Sequence, residues 1–218
     1  MIRVSVLDKN GKEVGGVDVD EAVLGGSVNR AVLRQAVHMY ECNRRHGTAS
    51  TKTRAEIRGS SRKLFPQKHT GRARAGDRKA PHMRGGGIAF GPKPRDYSKS
   101  LPKKMRRLAL RSAYLSKLLD QELVVINELK FDAPATKEMA AILRALDVDR
   151  GCLIGTKDTD SAVWKSGRNI PRVEVKPVQD INAYDLLLRK HLVLTQEALE
   201  AVLERFTQTA SKAQEATA

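Results

Sequence analysis

The sequence predicts an α/β domain, a mostly parallel sheet with helices on both faces, interrupted by a long basic extended loop. Three observations lead there. From residue 122 onward, short β-branched runs alternate with helix-period stretches, the pattern of parallel strands joined by crossover helices. The chain opens with a strand-like alternation and then changes to helical spacing. Between these two regions, residues 44–107 hold 20 Lys+Arg against three acids, with eight of the 16 glycines and five of the eight prolines.

The elements follow in order. IRVSVL (2–7) alternates as a strand, and KNG turns the chain toward EVGGVDV. From Ser27, residues Val28, Ala31, Val32, Gln35, Ala36 and Met39 recur at helical spacing, with Ser27 as N-cap and Gly47 near the end. LPKKMRRLALRSAYLSKLL places Met105, Leu108, Ser112, Leu115 and Leu119 on one helical face. ELVVIN (122–127) suits a buried strand. ATKEMAAILRALD aligns Met139, Ile142, Leu143 and Leu146 on a helix. GCLIGT (151–156) is the next strand, followed by a short helix from Asp158 to Lys165. RVEVK (172–176) reads as a strand, NAYDLLL as a turn or two of helix, and HLVLT (191–195) as the last strand. In QEALEAVLERF, Leu199, Val202, Leu203 and Phe206 face inward behind Thr195 as N-cap. The predicted organisation is one globular domain from residues 1–44 and 101–207, a loop at 45–100, and a disordered tail at 208–218, where apolar anchors are missing.

Charge separates the loop from the rest. The full chain carries +15, whereas the residues outside 44–107 hold 20 basic and 22 acidic groups. A polyanionic partner is expected: nucleic acid, an anionic membrane surface, or less commonly an acidic protein. Aromatic residues make up 4% of the chain, which argues against a broad base-stacking platform. Cys42 and Cys152 lie far apart with no CxxC spacing, which argues against a zinc site or a disulfide framework and suits a reducing compartment. No signal-length apolar run opens the chain, and no stretch approaches ~18 apolar residues, so a soluble cytoplasmic protein is expected.

Motifs for catalysis are missing. There is no GxxxxGK[ST], and no GxGxxG lies between a strand and a helix. GGGIAFG (85–91) is glycine-rich but runs into PKPR, where a helix cannot readily start. The histidines at 38, 46, 69, 82 and 191 show no HxxxH or HExxH spacing; His38 and His191 read as packing residues. No cofactor and no metal are expected, and the chain does not read as an enzyme.

The loop suits RNA. Arg and Lys neutralise phosphates, glycines let the backbone approach closely, and prolines lower the entropy lost on ordering. GRARAGDRK spaces Arg72, Arg74 and Arg78 with small residues, which permits deep insertion. Lys103, Lys104, Arg106 and Arg107 crowd the first turns of the next helix, where the macrodipole prefers anions. Bound phosphates would turn that penalty into a gain. DNA readers usually present a helix or ribbon, whereas an irregular basic segment suits a folded RNA read by shape and backbone. The candidate RNA-binding residues are Arg58, Arg62, Lys63, Gln67, Lys68, His69, Thr70, Gly71, Arg72, Arg74, Arg78, Lys79, His82, Arg84, Gly85, Gly86, Gly87, Lys93, Arg95, Lys99, Lys103, Lys104, Arg106 and Arg107. Two other classes remain open: a general RNA- or DNA-binding regulatory protein, and an RNA-processing enzyme on an α/β scaffold.

QKHTGRARAG, RGGGIAFGPKPRDY and LPKKMRRLALRSAYLSK closely resemble the bacterial large-subunit ribosomal protein four family, most densely over residues 62–118. The resemblance implies an α/β domain on the outer surface of the large subunit, with a loop threading into large-subunit ribosomal RNA. It further implies a loop tip at the wall of the nascent-peptide exit tunnel, beside neighbouring ribosomal proteins. Gln67, Lys68, Thr70, Gly71, Arg72, Ala73 and Arg74 match the tip motif, and the tip residues expected to face the tunnel are Lys68, His69, Thr70, Gly71 and Arg72. Arg84, Gly85, Gly86, Gly87, Phe90, Gly91, Pro92, Lys93, Pro94 and Arg95 match the returning limb. The family commonly reads PWRQKGTGRAR where this chain has LFPQKHTGRAR. Phe65 thus stands for a tryptophan, Pro66 for an arginine and His69 for a glycine.

Overall fold

Alternation along the strands decides the layering. A computed structural model describes residues 1–148 and 151–215 of the chain. Its strands are β1 (Ile2–Leu7), β2 (Glu13–Val19), β3 (Leu123–Ile126), β4 (Cys152–Thr156), β5 (Glu174–Pro177) and β6 (His191–Thr195). They form one sheet in the order β2-β1-β3-β6-β4-β5. The β1–β2 pair is antiparallel and every other pair is parallel, so the sheet is mostly parallel, as the sequence predicts.

Successive strand residues point to opposite faces, and the two faces carry separate apolar clusters. Val4, Val6, Val125, Leu153, Leu192 and Leu194 belong to one cluster; Ile126, Cys152, Ile154, Val175 and Val193 belong to the other. The first face is covered by α1 (Arg30–Arg44), α2 (Lys103–Leu119), α5 (Ala183–Leu188) and α6 (Gln196–Glu215). The second is covered by α3 (Thr136–Ala145) and α4 (Ser161–Gly167), through Met139, Ile142, Leu143 and Val163. Burial on both faces explains why β4 reads as a continuous apolar run. Burial also pushes the Cys152 thiol up to about 12, which leaves it an inert packing group.

Caps and stripes differ from expectation in two places. Asn29, rather than Ser27, caps α1: its Oδ1 accepts from Val32 N at 3.1 Å. On α2, Leu108 and Leu119 are exposed, and the buried stripe is Ala109, Leu110, Ala113, Tyr114, Lys117 and Leu118, with Ser112 and Leu115. Ala109 and Ala113 are fully buried, small side chains that a count of large apolar residues overlooks. The last helix, α6, runs through Glu215. Residues 216–218 lie outside the described residues.

A partly buried ion pair ties α2 to the residue before β3. Lys117 Nζ donates to Glu122 Oε2 at 2.6 Å and to the Lys190 carbonyl at 2.8 Å. The chain divides into two units, Met1–Tyr40 with Ser100–Ala218, and Glu41–Lys99.

Candidate nucleic-acid interface

A segment this polar cannot fold by burial. Within Glu41–Lys99, Gly87 is the one buried residue, and residues 45–102 contain neither helix nor strand. Backbone pairing between its outgoing and returning limbs holds it together instead. Asn43 Oδ1 accepts from Lys99 N at 2.7 Å, and Asn43 Nδ2 donates to Lys99 O at 3.1 Å. Further out, Arg95 N donates to Gly47 O, Thr51 N to Pro92 O, Ile88 N to Lys52 O and Leu64 N to Gly76 O, all at 3.0–3.1 Å. The pairs run from neck to tip like a hairpin without extended strands, with one register jump between Thr51–Pro92 and Lys52–Ile88.

Glycines permit the closest approaches. A Cβ on Gly47 would lie 1.7 Å from the Arg95 carbonyl oxygen, and one on Gly87 would lie 2.2 Å from Arg54 N. Neither position can carry a side chain while the limbs stay paired.

Side chains reinforce the pairing. Lys93 Nζ donates to both Glu56 oxygens at 2.6 Å and to the Thr51 carbonyl at 3.0 Å. Those bonds from Lys93, with one from Thr53, hold the Glu56 carboxyl below the usual carboxylate range. Tyr97 lies between two guanidiniums, Arg45 at 4.2 Å and Arg95 at 4.4 Å from its ring centroid. The Ser98 hydroxyl and backbone hold Asp96 low as well. Two of the four acids of Glu41–Lys99, Glu56 and Asp96, are therefore occupied within it.

Most of its cations remain presented to solvent. Arg58, Arg62 and Lys63 from the outgoing limb meet Arg78, Lys79, Arg84 and Gly85 from the returning limb around a cavity of about 560 Å³. No acidic residue lines it. A second cavity of about 660 Å³ is shared by Arg54, Lys63, Lys79, His82 and Asp77. The triple glycine shapes this region: Gly87 N donates to Lys79 O and Gly86 N to Met83 O, both at 2.9 Å.

The tip, beyond the Leu64–Gly76 hydrogen bond, exposes Gln67, Lys68, His69, Gly71, Arg72 and Arg74, with Thr70 half-buried. Lys63 donates to Gln67. His69 adopts φ +65° and Gly71 φ +63°. The turn thus keeps its left-handed backbone at the position where the resembling family has glycine. Histidine is among the side chains that enter this region most readily, at a cost of roughly 1–3 kcal/mol.

Lys103, Lys104, Arg106 and Arg107 lie in the other unit, all exposed on the first turns of α2. Pro102 precedes them with no side-chain cap, and the first turn has no acid. Four cations therefore sit at the positive end of the helix dipole.

The remaining surfaces offer less. At the C-terminal ends of β3, β4 and β6, where α/β sheets commonly bind nucleotides, a cleft of about 160 Å³ is lined by Glu128, Asp158, Asp160 and Glu197 among others. Those carboxylates would repel a phosphate, and Asp160 already caps α4 through Ala162 N and Val163 N. Among the described residues, no group of three His, Cys, Asp or Glu side chains could hold a metal, and no helix is long and apolar enough to cross a membrane.

The model of the ribosomal protein L4/L1 family matches residues 17–205. The chain belongs to this family. It is 47% identical over 204 residues to the large ribosomal subunit protein uL4 of Symbiobacterium thermophilum, covering 94% of this chain and 99% of that one. It is 48% identical to uL4 of Moorella thermoacetica at the same coverage, and 49% identical over 208 residues to uL4 of Pelotomaculum thermopropionicum, 94% of this chain and 100% of that one. The L4/L1 match spans the paired limbs and strands β3 to β6, and begins within β2.

Several residues that shape this L4/L1 segment escape a reading of the sequence. Asn43, Arg45, Arg54, Glu56 and Tyr97 are not among the candidates named from it. Arg45 and Arg54 lie inside the basic run, so charge alone could have found them. Asn43, Glu56 and Tyr97 act through partners distant in sequence, which no local pattern reveals.

Proposed function

We propose that this protein is a non-catalytic structural constituent of the large ribosomal subunit that binds large-subunit ribosomal RNA through residues 45–100. The observation that carries this reading is the cavity where Arg58, Arg62, Lys63, Arg78, Lys79 and Arg84 converge without an acid. A site of that kind takes phosphates, and an RNA backbone supplies several at once. The exposed cations of α2 add a second anchor. Tethered at both ends and pre-paired along its limbs, the segment loses less entropy on binding than a free tail would.

Its place is the ribosome in the cytoplasm, with large-subunit RNA and neighbouring ribosomal proteins as partners and no cofactor. Holding separate RNA segments together would support subunit assembly. The tip, Lys68 to Arg72, would contribute to the wall of the nascent-peptide exit tunnel; this rests on the resemblance of the tip motif.

Competition binding tests the reading. Large-subunit RNA should displace a labelled RNA fragment from the full chain far better than duplex DNA of equal length at the same salt. Equal competition by the duplex would instead favour a general nucleic-acid-binding regulator.

A further inference from the structure

Among the described residues, Phe90 is the most exposed large apolar side chain, at 107% of its reference exposure, with Ile88 beside it at 51%. Its φ of +52° lies in the left-handed region, where a bulky side chain is an outlier. The limb pairing imposes this geometry. Thr51 and Lys52 are adjacent on the outgoing limb, yet they bond Pro92 and Ile88, which are four residues apart. Ala89, Phe90 and Gly91 must therefore bulge from the ladder. Gly91 is pressed so close to Thr51 that a Cβ would lie 2.0 Å from its Oγ1.

For the protein alone this arrangement gains nothing, because the ring forgoes burial and the backbone is strained. Its setting identifies what would cover it. Lys52, Arg54 and Arg95 are exposed on the same paired limbs, and Glu56 is already engaged by Lys93. A protein partner would call for an apolar patch with few charges, whereas a single ring among cations matches a base flanked by phosphates.

We infer that Phe90 is a base-stacking residue, presented by the bulge at residues 89–91 to an unpaired base of the RNA. The inference rests on the RNA-binding reading above. It adds an interaction that the charge pattern does not contain, since stacking carries no charge.

The test uses the full chain and a large-subunit RNA transcript across a salt series. Phe90→Ala should weaken binding by roughly fivefold to a hundredfold at every salt, with the salt slope unchanged. Phe90→Trp should bind like the parent, while Phe90→Leu should fall with Phe90→Ala. In a Trp164→Phe background, Phe90→Trp makes the new indole the sole tryptophan, and stacking should quench its fluorescence on RNA addition. If the parent binds RNA steeply but Phe90→Ala binds equally well without quenching in the Trp variant, the stacking inference is overturned and RNA binding stands. Parent-like binding by Phe90→Leu would mean apolar packing rather than stacking. A Phe90→Ala defect seen on protein-containing particles but not on naked RNA would assign the ring to a protein neighbour. If the parent fails to bind RNA, the RNA reading falls first and the inference with it.

Discussion

Asn43 and Lys99 face each other across 56 residues of chain and exchange two hydrogen bonds, one through each end of the Asn43 carboxamide. The side chain takes the place of a backbone partner and closes the neck of the basic segment. Replacing it with alanine removes both bonds at an exposed site, where each contributes about 1 kcal/mol. Asn43→Ala should raise amide exchange at Lys99 several-fold and leave the thermal unfolding of the sheet unchanged.

Gly87 and Gly76 make a matched pair of tests. A Cβ at Gly87 would meet Arg54 backbone at 2.2 Å, whereas one at Gly76 would meet nothing within 4 Å. Gly87→Ala should therefore weaken RNA binding by forcing the limbs apart, and Gly76→Ala should bind like the parent. Circular dichroism of both variants should match the parent, because the sheet is untouched.

At the tip, His69 bears a left-handed backbone that glycine adopts without strain. His69→Gly should hold or improve affinity for large-subunit RNA. His69→Val, β-branched and intolerant of positive φ, should lower it by roughly tenfold, a loss of about 1–2 kcal/mol. Titration calorimetry or filter binding distinguishes the three chains.

Glu56 gives the segment an acid-sensitive latch. Because the Lys93 hydrogen bond lowers its folded-state titration, its contribution is complete above the ordinary carboxylate range. It is lost as pH falls through the lowered value. The Thr53 amide, which donates to Glu56 Oε2 at 3.0 Å, should keep its protection from about pH 7 to about pH 5 and lose it in stronger acid. Glu56→Gln should show the unlatched behaviour at neutral pH.

The sheet unit has its own weak point. Lys117 is 6% exposed and depends on Glu122 and the Lys190 carbonyl. Glu122→Gln leaves a buried ammonium without its counter-charge and should destabilise the chain by roughly 3 kcal/mol. Urea denaturation reads that loss directly.

The sheet is legible in the sequence because parallel strands buried on both faces leave contiguous apolar runs, as in Cys152–Thr156 and His191–Thr195. Their order is not, since nothing local places β6 between β3 and β4. The α2 stripe is misread when large side chains are weighted over Ala109 and Ala113, which are fully buried. Charge marks the basic segment in composition, but its pairing is hidden. Those bonds join backbone atoms such as Gly47 O and Arg95 N, and backbone carries no sequence pattern. Lys93 reads as one more free cation because its partner Glu56 lies 37 residues away, although the structure engages the two.

The central claim, that the paired basic segment is the RNA anchor of a self-sufficient α/β domain, is tested most directly by deleting residues 64–94 and measuring binding across a salt series. The shortened chain should keep its α/β circular dichroism while its salt slope for large-subunit RNA falls by several units, at ~0.7–0.9 for each phosphate no longer neutralised. Equal slopes for the two chains, or an unfolded sheet after the deletion, would contradict it.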